Sequence, residues 1–412
     1  MKLLDRYLAT QLDLLRTTGM YRQLRVLQGP QGSRARVDGR YVINLSSNNY
    51  LGLATHPRVI SAAADAARAY GAGSGAVRPV IGTFDIQQEL ECKLAEFKGT
   101  EAALVLPSGF AANQAVLGCI LEEGDLVISD VLNHASIIDG IRLTKATRAV
   151  YAHNNMDDLE RALSRARGKY RKVLVVTDGV FSMDGDIALL DKIGELASHY
   201  GAATMVDDAH ATGVLGDQGR GTVSHYNLPV DGWDISVGTL SKAVGVVGGF
   251  VAGSQRLRDV MEHRARPFLF STAHPPAVTA AAGAAIDVIR SREGAELMER
   301  LWDNTAFFQT GLRSLGFDIA DTQTPITPVI VGDEALTMRF SDVLFEHGVL
   351  ATGVTYPTVP RGRARLRTIV TAEHSLSDLQ DALDIFERIG RECGVPMERA
   401  HDRADKEEVG TI

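Results

Sequence analysis

Between about residues 60 and 260, short apolar runs alternate with helical stretches: Ala103 to Leu106, Leu126 to Ser129, Val173 to Thr177, Thr204 to Val206, Ile235 to Gly238 and Phe250 to Gly253. This alternation predicts an α/β domain built on a mainly parallel sheet. At 412 residues the chain is too long for one simple core, so a second, smaller domain is expected. Residues from about 275 to 316 read as helical, and the remainder mixes helices with strands such as Pro328 to Val331 and Arg365 to Val370. Leu4, Leu8, Leu12 and Leu15 recur at helical spacing, which predicts an opening amphipathic helix lying against something larger. Ala35 to Val37 and Tyr41 to Leu45 flank Asp38-Gly39, a dipeptide suited to a tight hairpin turn. The expected organisation is an N-terminal helix and hairpin (1–55), a large domain (56–290), a smaller α+β domain (291–395) and a charged, mobile tail (396–412).

Composition narrows the function. Lys and Arg number 43 against 51 Asp and Glu, and the net charge of −8 disfavours binding to nucleic acid. Three scattered cysteines, Cys92, Cys119 and Cys393, are too few for a disulfide framework or a metal site, and read as buried small hydrophobes. Met1 to Leu15 lacks the apolar core of a signal peptide. Ala102 to Leu121 is uncharged but interrupted by Pro107, Ser108, Gly109, Asn113 and Gln114, which suits a buried strand–turn–helix better than a membrane span. A cytoplasmic protein without a membrane association is expected.

Several segments place reactive side chains just after predicted strands. Thr239-Leu240-Ser241-Lys242 follows Ile235 to Gly238 and precedes a glycine-rich stretch, where desolvation can lower a lysine's pKa and free its amine for Schiff-base chemistry. Taken alone, the tetrapeptide fits a solvated loop lysine as well. Asp207-Asp208-Ala209-His210 follows Thr204 to Val206, at the edge where α/β sheets gather ligands. One carboxylate there could face a cationic ring nitrogen and His210 a ring oxygen or reacting carbonyl, or the pair could be a helix cap and a core histidine. Pro107-Ser108-Gly109-Phe110-Ala111 opens a helix whose first N–H groups suit a phosphate, although such turns are common. His134, in Asn133-His134-Ala135-Ser136, offers a stacking face or is a structural histidine. Arg365 and Arg367 share one face of a strand, and one of them could clamp a carboxylate.

Together these segments resemble the α-oxoamine synthases, a family of fold-type I pyridoxal-phosphate enzymes, over roughly residues 1 to 395. The motifs follow the family's order: SSNNYLGL from Ser46, LNHASIIDG from Leu132, TDGVFSMDGD from Thr177, VDDAHATGVLG from Val206, TLSKAVG from Thr239, RPFLFST from Arg266 and ARLRTIVTAEH from Ala364. The resemblance implies that Lys242 holds pyridoxal 5'-phosphate as a Schiff base and later moves the Cα proton of the amino acid. It implies that Asp207 pairs with the pyridine nitrogen, that His210 and Ser182 contact the phenolic oxygen, and that His134 stacks on the ring. Gly109, Phe110 and Thr239 would hold the phosphate, with Ser271 and Thr272 supplied by the second subunit of a homodimer. Arg367, with Asn48 nearby, would take the amino-acid carboxylate.

The implied reaction joins an amino acid to an acyl group carried on coenzyme A. Within the family, Gly75-Ala76-Val77-Arg78 with Gly82-Thr83 resembles the glycine C-acetyltransferases, so glycine with acetyl-CoA is the first expectation. Arg22 and Arg25 keep pimeloyl-CoA with alanine open, as in the 8-amino-7-oxononanoate synthases, and a broad acyl range fits too. A catalytically silent subunit is disfavoured by intact Lys242, Asp207 and His210, and a simple aminotransferase by LNHASIIDG.

Overall fold

The computed structural model describes residues 2–17, 21 and 24–397. In chain order its strands are β1 (Arg34–Val37), β2 (Arg40–Asn44), β3 (Ala102–Leu106), β4 (Leu126–Asp130), β5 (Thr147–Tyr151), β6 (Val173–Asp178), β7 (Ala203–Asp207), β8 (Ile235–Thr239), β9 (Gly249–Gly253), β10 (Ile326–Gly332), β11 (Val349–Leu350), β12 (Thr352–Val354) and β13 (Ala364–Ile369). The apolar runs become the large sheet, in the order β3-β9-β8-β7-β6-β4-β5. It is parallel except for β9, which runs antiparallel to both β3 and β8. Helices cover both faces, which is why β3, β4, β8 and β9 are buried throughout and read as continuous apolar runs. The edge strand β5 was not among the expected strands. Its sequence TRAVY is largely exposed, so no apolar run marks it.

The N-terminal hairpin forms as its turn residues require, with Asp38 at φ 47° and Gly39 at φ 82°. Strand β11 pairs parallel to β2, bringing Val349 opposite Ile43. Ile43 and Leu45 therefore share a hydrophobic cluster with Phe308, Phe317, Phe340 and Phe386 from the C-terminal third of the chain. A second small sheet, β10-β13-β12, is antiparallel.

Three details differ from expectation. The helical stretch near 275–316 is two helices, Pro276–Ile289 and Arg292–Ser314, because Ser291 caps a new start by accepting from Gly294 N. The opening helix Leu3–Thr17 buries none of its residues, so within this chain it lies against nothing large. Cys119 is buried as expected, but Cys92 is exposed and Cys393 half-buried. Most of the expected tail, 398–412, lies outside the described residues. Among the described residues no helix is long and apolar enough to cross a membrane, and no acid, histidine and cysteine cluster could hold a metal.

One buried ion pair ties the segment after β7 to the helix Asp85–Lys98. Lys98 Nζ sits 2.8 Å from Asp208 Oδ2 and also donates to the Arg220 carbonyl, while Thr222 Oγ1 donates to Asp208 Oδ1 at 2.5 Å. Both partners are nearly sealed from solvent. Lys98→Met should cost about 3–5 kcal/mol, because it leaves Asp208 charged and unpaired in the interior. Denaturant unfolding checks this, and a loss under about 1 kcal/mol would place the pair with dispensable surface contacts.

Candidate active site

The parallel part of the sheet delivers the carboxyl ends of β4, β6, β7 and β8 to one edge, where a cavity of about 200 Å³ opens. Asp178 ends β6 and Asp207 ends β7, directly opposite each other in the ladder. Thr239 ends β8. Beyond β3, Ser108 caps the helix Gly109–Ile120 by accepting from Ala111 N. The first intrahelical bond runs from Ala112 N to Ser108 O, so the amides of Gly109 and Phe110 precede it at the positive end of the helix.

This cup is built by close backbone approach. A Cβ on Gly109 would lie 3.0 Å from Thr239 Cβ, and one on Gly249 would lie 2.4 Å from the Ser108 carbonyl and 2.5 Å from Gly109 N. Thr239 Oγ1 donates to the Gly248 carbonyl and receives Ser241 N–H, which fixes the turn that carries Lys242.

Lys242 faces the cavity from this turn. Burial lowers its pKa to about 8, against the opposing pull of Asp207 and the added push of Arg367. Burial raises the Asp207 carboxyl, opposed by Asn113, whose Nδ2 donates to Oδ2 at 2.6 Å, and by Ala209 N on Oδ1. Burial and the neighbouring Asp207 hold Asp178 well above the carboxylate range, although it accepts His134 N–H at 2.9 Å. His210 is kept neutral by burial and by the cations Lys242 and Arg367. Its Nδ1 lies 2.7 Å from the Tyr50 hydroxyl, and burial pushes the pKa of that phenol far above normal, so it keeps its proton. Tyr50 therefore donates to Nδ1, and His210 carries its hydrogen on Nε2.

Of the residues expected in the site, Gly109, Phe110, His134, Ser182, Asp207, His210, Thr239 and Lys242 line this one cavity. Arg367 adjoins it, with Nε donating to the Ser182 carbonyl at 2.6 Å and Nη2 3.4 Å from Asn48 Oδ1. Arg365, on the same strand face, is occupied by Asp184 at 2.5 Å and by two carbonyls. Ser271 and Thr272 are not part of the cavity lining of their own chain, and Thr272 bridges to Val77. Asp208 turns away to Lys98. Arg25 is held by Asp38 and Asp342 over the Phe345 ring, while Arg22 lies outside the described residues.

Sequence reasoning missed Tyr50, Asn113, Ser136, Asp178 and Ser241. Asp178 carried a usable signal, a carboxylate closing an apolar run just as Asp207 does. The others reach the site from a helix face or a loop, and no spacing rule marks them. Nearby, His153 bridges Asp130 and Asp186. Desolvation pulls its pKa down, but the two carboxylates outweigh it and lift the group to about 10.

These residues suit pyridoxal 5'-phosphate: a low-pKa amine for its carbonyl carbon, a buried carboxylate for its ring nitrogen, and a backbone cup for its phosphate. Fold and cavity together define a pyridoxal-phosphate-dependent transferase of fold type I. The family described as aminotransferase class I and II matches residues 40–386. An 8-amino-7-oxononanoate synthase of Symbiobacterium thermophilum is 56% identical over 94% of this chain and 98% of its own length. The 8-amino-7-oxononanoate synthase 1 of Bacillus subtilis is 55% identical over 94% and 97%. A serine palmitoyltransferase of Sphingomonas wittichii superposes with a TM-score of 0.90 at 33% identity, covering 96% of this chain and all, 100%, of its own. The chain belongs to the aminotransferase class I and II family and, within it, to the α-oxoamine synthases, which are acyltransferases.

The relatives' names correct the first expectation of glycine with acetyl-CoA and favour its alternative. The loop that prompted that expectation has a local structural task instead. Arg78 is buried against Glu91 in a bidentate pair, and a Cβ on Gly82 would strike the Ala76 carbonyl at 2.4 Å.

An amine must be unprotonated to attack an aldehyde. Attachment of pyridoxal phosphate to the cofactor-stripped protein should therefore quicken as pH rises through about 8, not through the ordinary lysine range near 10.5. Borohydride trapping at a series of pH values reads this rate, and Lys242→Ala should trap none at that position.

Proposed function

We propose that this chain joins alanine to the pimeloyl group of pimeloyl-CoA, releasing coenzyme A and carbon dioxide, as a homodimer. The observation that carries this reading is the 54–57% identity, over 94% of the chain, to proteins named 8-amino-7-oxononanoate synthase. Lys242 holds the cofactor through its amine, Asp207 pairs with the pyridine nitrogen, and His210 and Ser182 contact the phenolic oxygen. His134, which lines the same cavity, would stack on the ring face. The Gly109 and Phe110 amides and Thr239 take the phosphate, together with Ser271 and Thr272 of the partner subunit. Exposed Phe270, Val80 and Ile81 beside those two residues support a partner's covering that face.

When bound, the cofactor supplies an electron sink for a carbanion at the amino-acid Cα. The chain's own residues do the rest. Lys242, whose amine burial brings to a pKa of about 8, would be the group that takes and returns the Cα proton near neutrality. Arg367, held by Ser182 and Asn48, orients the carboxylate so that the Cα–H bond faces Lys242. Asp207, kept by Asn113 and Ala209 in one orientation, holds the proton on the pyridine nitrogen. Neutral His210 presents Nε2–H to an oxygen without adding charge.

The deciding assay measures coenzyme A released from acetyl-, succinyl-, pimeloyl- and palmitoyl-CoA against glycine, alanine and serine. Release confined to pimeloyl-CoA with alanine, with an equivalent of carbon dioxide, is the expected result. Palmitoyl-CoA with serine would instead align the chain with its serine palmitoyltransferase neighbours, and no release from any pair would sink the acyltransferase reading. Arg367→Ala should raise the alanine KM by about 10- to 100-fold, the worth of a charge-assisted hydrogen bond of about 1.5–3 kcal/mol, with a smaller change in the acyl-CoA KM.

A further inference from the structure

Behind the two groups assigned to the cofactor ring, His134 and Asp207, runs a short hydrogen-bonded chain of which the proposed mechanism uses only the link from Asn113 to Asp207. Asn113, in the helix Gly109–Ile120, is sealed from solvent, as is Ser136 in the first turn of the helix Ala135–Arg142. Asn113 Nδ2 lies 2.6 Å from Asp207 Oδ2 and 2.8 Å from Ser136 Oγ. Ser136 Oγ lies 2.7 Å from His134 Nδ1, and the backbone N–H of Ser136 points at the same Nδ1 at 3.2 Å.

Donor and acceptor inventory fixes the direction of every bond in this chain. Ionised Asp207 can only accept, so the amide nitrogen of Asn113, not its oxygen, must face it. Both hydrogens of that NH₂ are then committed, one to Asp207 and one to Ser136 Oγ. The Ser136 hydroxyl, already accepting, has its own hydrogen for His134 Nδ1. Ser136 N–H cannot reverse, so Nδ1 receives two donors and has no room for a hydrogen of its own. Asn113 Oδ1, on the far side, is buried without a partner, as expected for an amide oriented by what its nitrogen must satisfy.

We propose that Asn113 and Ser136 are positioning residues that fix the His134 imidazole as its neutral tautomer, hydrogen on Nε2, through the same amide that orients Asp207. The inference rests on the reading of this cavity as a pyridoxal-phosphate site and adds the state of the group lying on the ring. A neutral imidazole can stack on a protonated pyridine without repelling it, whereas an imidazolium could not. One amide thereby serves both faces of the demand: it holds the carboxylate that keeps the ring nitrogen charged, and it blocks a competing charge above the ring. Desolvation acts in the same sense, lowering the pKa of His134 against the pull of Asp207, with Lys242 adding to the lowering. Asp178 and Asp207 at the ends of β6 and β7, Lys242 after β8, and His210 are the titratable groups that face it.

The test is nitrogen NMR of the holoenzyme labelled in its histidine rings, with His134 assigned by its absence from the His134→Asn protein. The expected result is an unprotonated Nδ1 and a protonated Nε2 throughout the range in which free histidine titrates. In Ser136→Ala, one neutral hydrogen bond of about 1 kcal/mol is lost, so His134 should gain roughly fivefold in proton affinity. A hydrogen on Nδ1, or ordinary titration in the unaltered protein, would overturn the proposal. An unchanged His134 in Ser136→Ala would remove Ser136 from it. Ring shifts do not depend on which acyl thioester is the substrate, so this outcome and the coenzyme A assay can fail separately.

Discussion

Two carboxylates, Asp178 and Asp207, close adjacent parallel strands and sit side by side out of water. Strands about 4.8 Å apart put such groups within strong mutual repulsion, so the rest of the site has to compensate them. Asn113 and the Ala209 amide serve Asp207, the His134 amide serves Asp178, and Lys242 supplies the nearby cation. The lysine is in turn governed by them: burial pulls its pKa down and the two carboxylates stop the fall near 8. The site's acid–base behaviour is thus one coupled balance, set by where a parallel sheet happens to end.

The segment 178–187 transmits that balance to the smaller sheet. Gly185 turns at φ 75°, where a Cβ would strike the Ile326 carbonyl at 2.3 Å, and its own carbonyl receives Thr324 Oγ1 and Gln323 N. Asp184 and the Ser182 carbonyl engage Arg365 and Arg367 of β13, while His153 clamps Asp186 to Asp130 from the other side. The residue that bounds the ring cavity, Ser182, and the arginine beside it are therefore parts of one braced element.

Strand positions and the groups just beyond them were legible because an apolar run followed by a reactive residue is a local pattern: Asp207, Thr239 and Lys242 all follow one. Gly109 was readable as a strand-to-helix turn. Tyr50, Asn113 and Ser136 were not, since each meets its partner through tertiary packing: Tyr50 reaches His210 from 160 positions away, and Asn113 reaches Asp207 from 94. The exposed edge strand β5 and the break at Ser291 escaped for the opposite reason, their signals being weak even locally. For Arg365 and Arg367, alternation gave the shared face, but only the position of Asp184 separates the arginine that braces from the one beside the cavity.

The reversed strand β9 places Gly249 hard against Ser108 and Gly109, so on that side the cup is walled by main chain. Main-chain walls present the same atoms whatever residue types surround them, and here no side chain larger than hydrogen fits. Such a surface has almost no evolutionary vocabulary. Chains of this architecture that diverge toward other acyl groups must write the difference at the outer rim, in residues whose side chains can change without touching the cup.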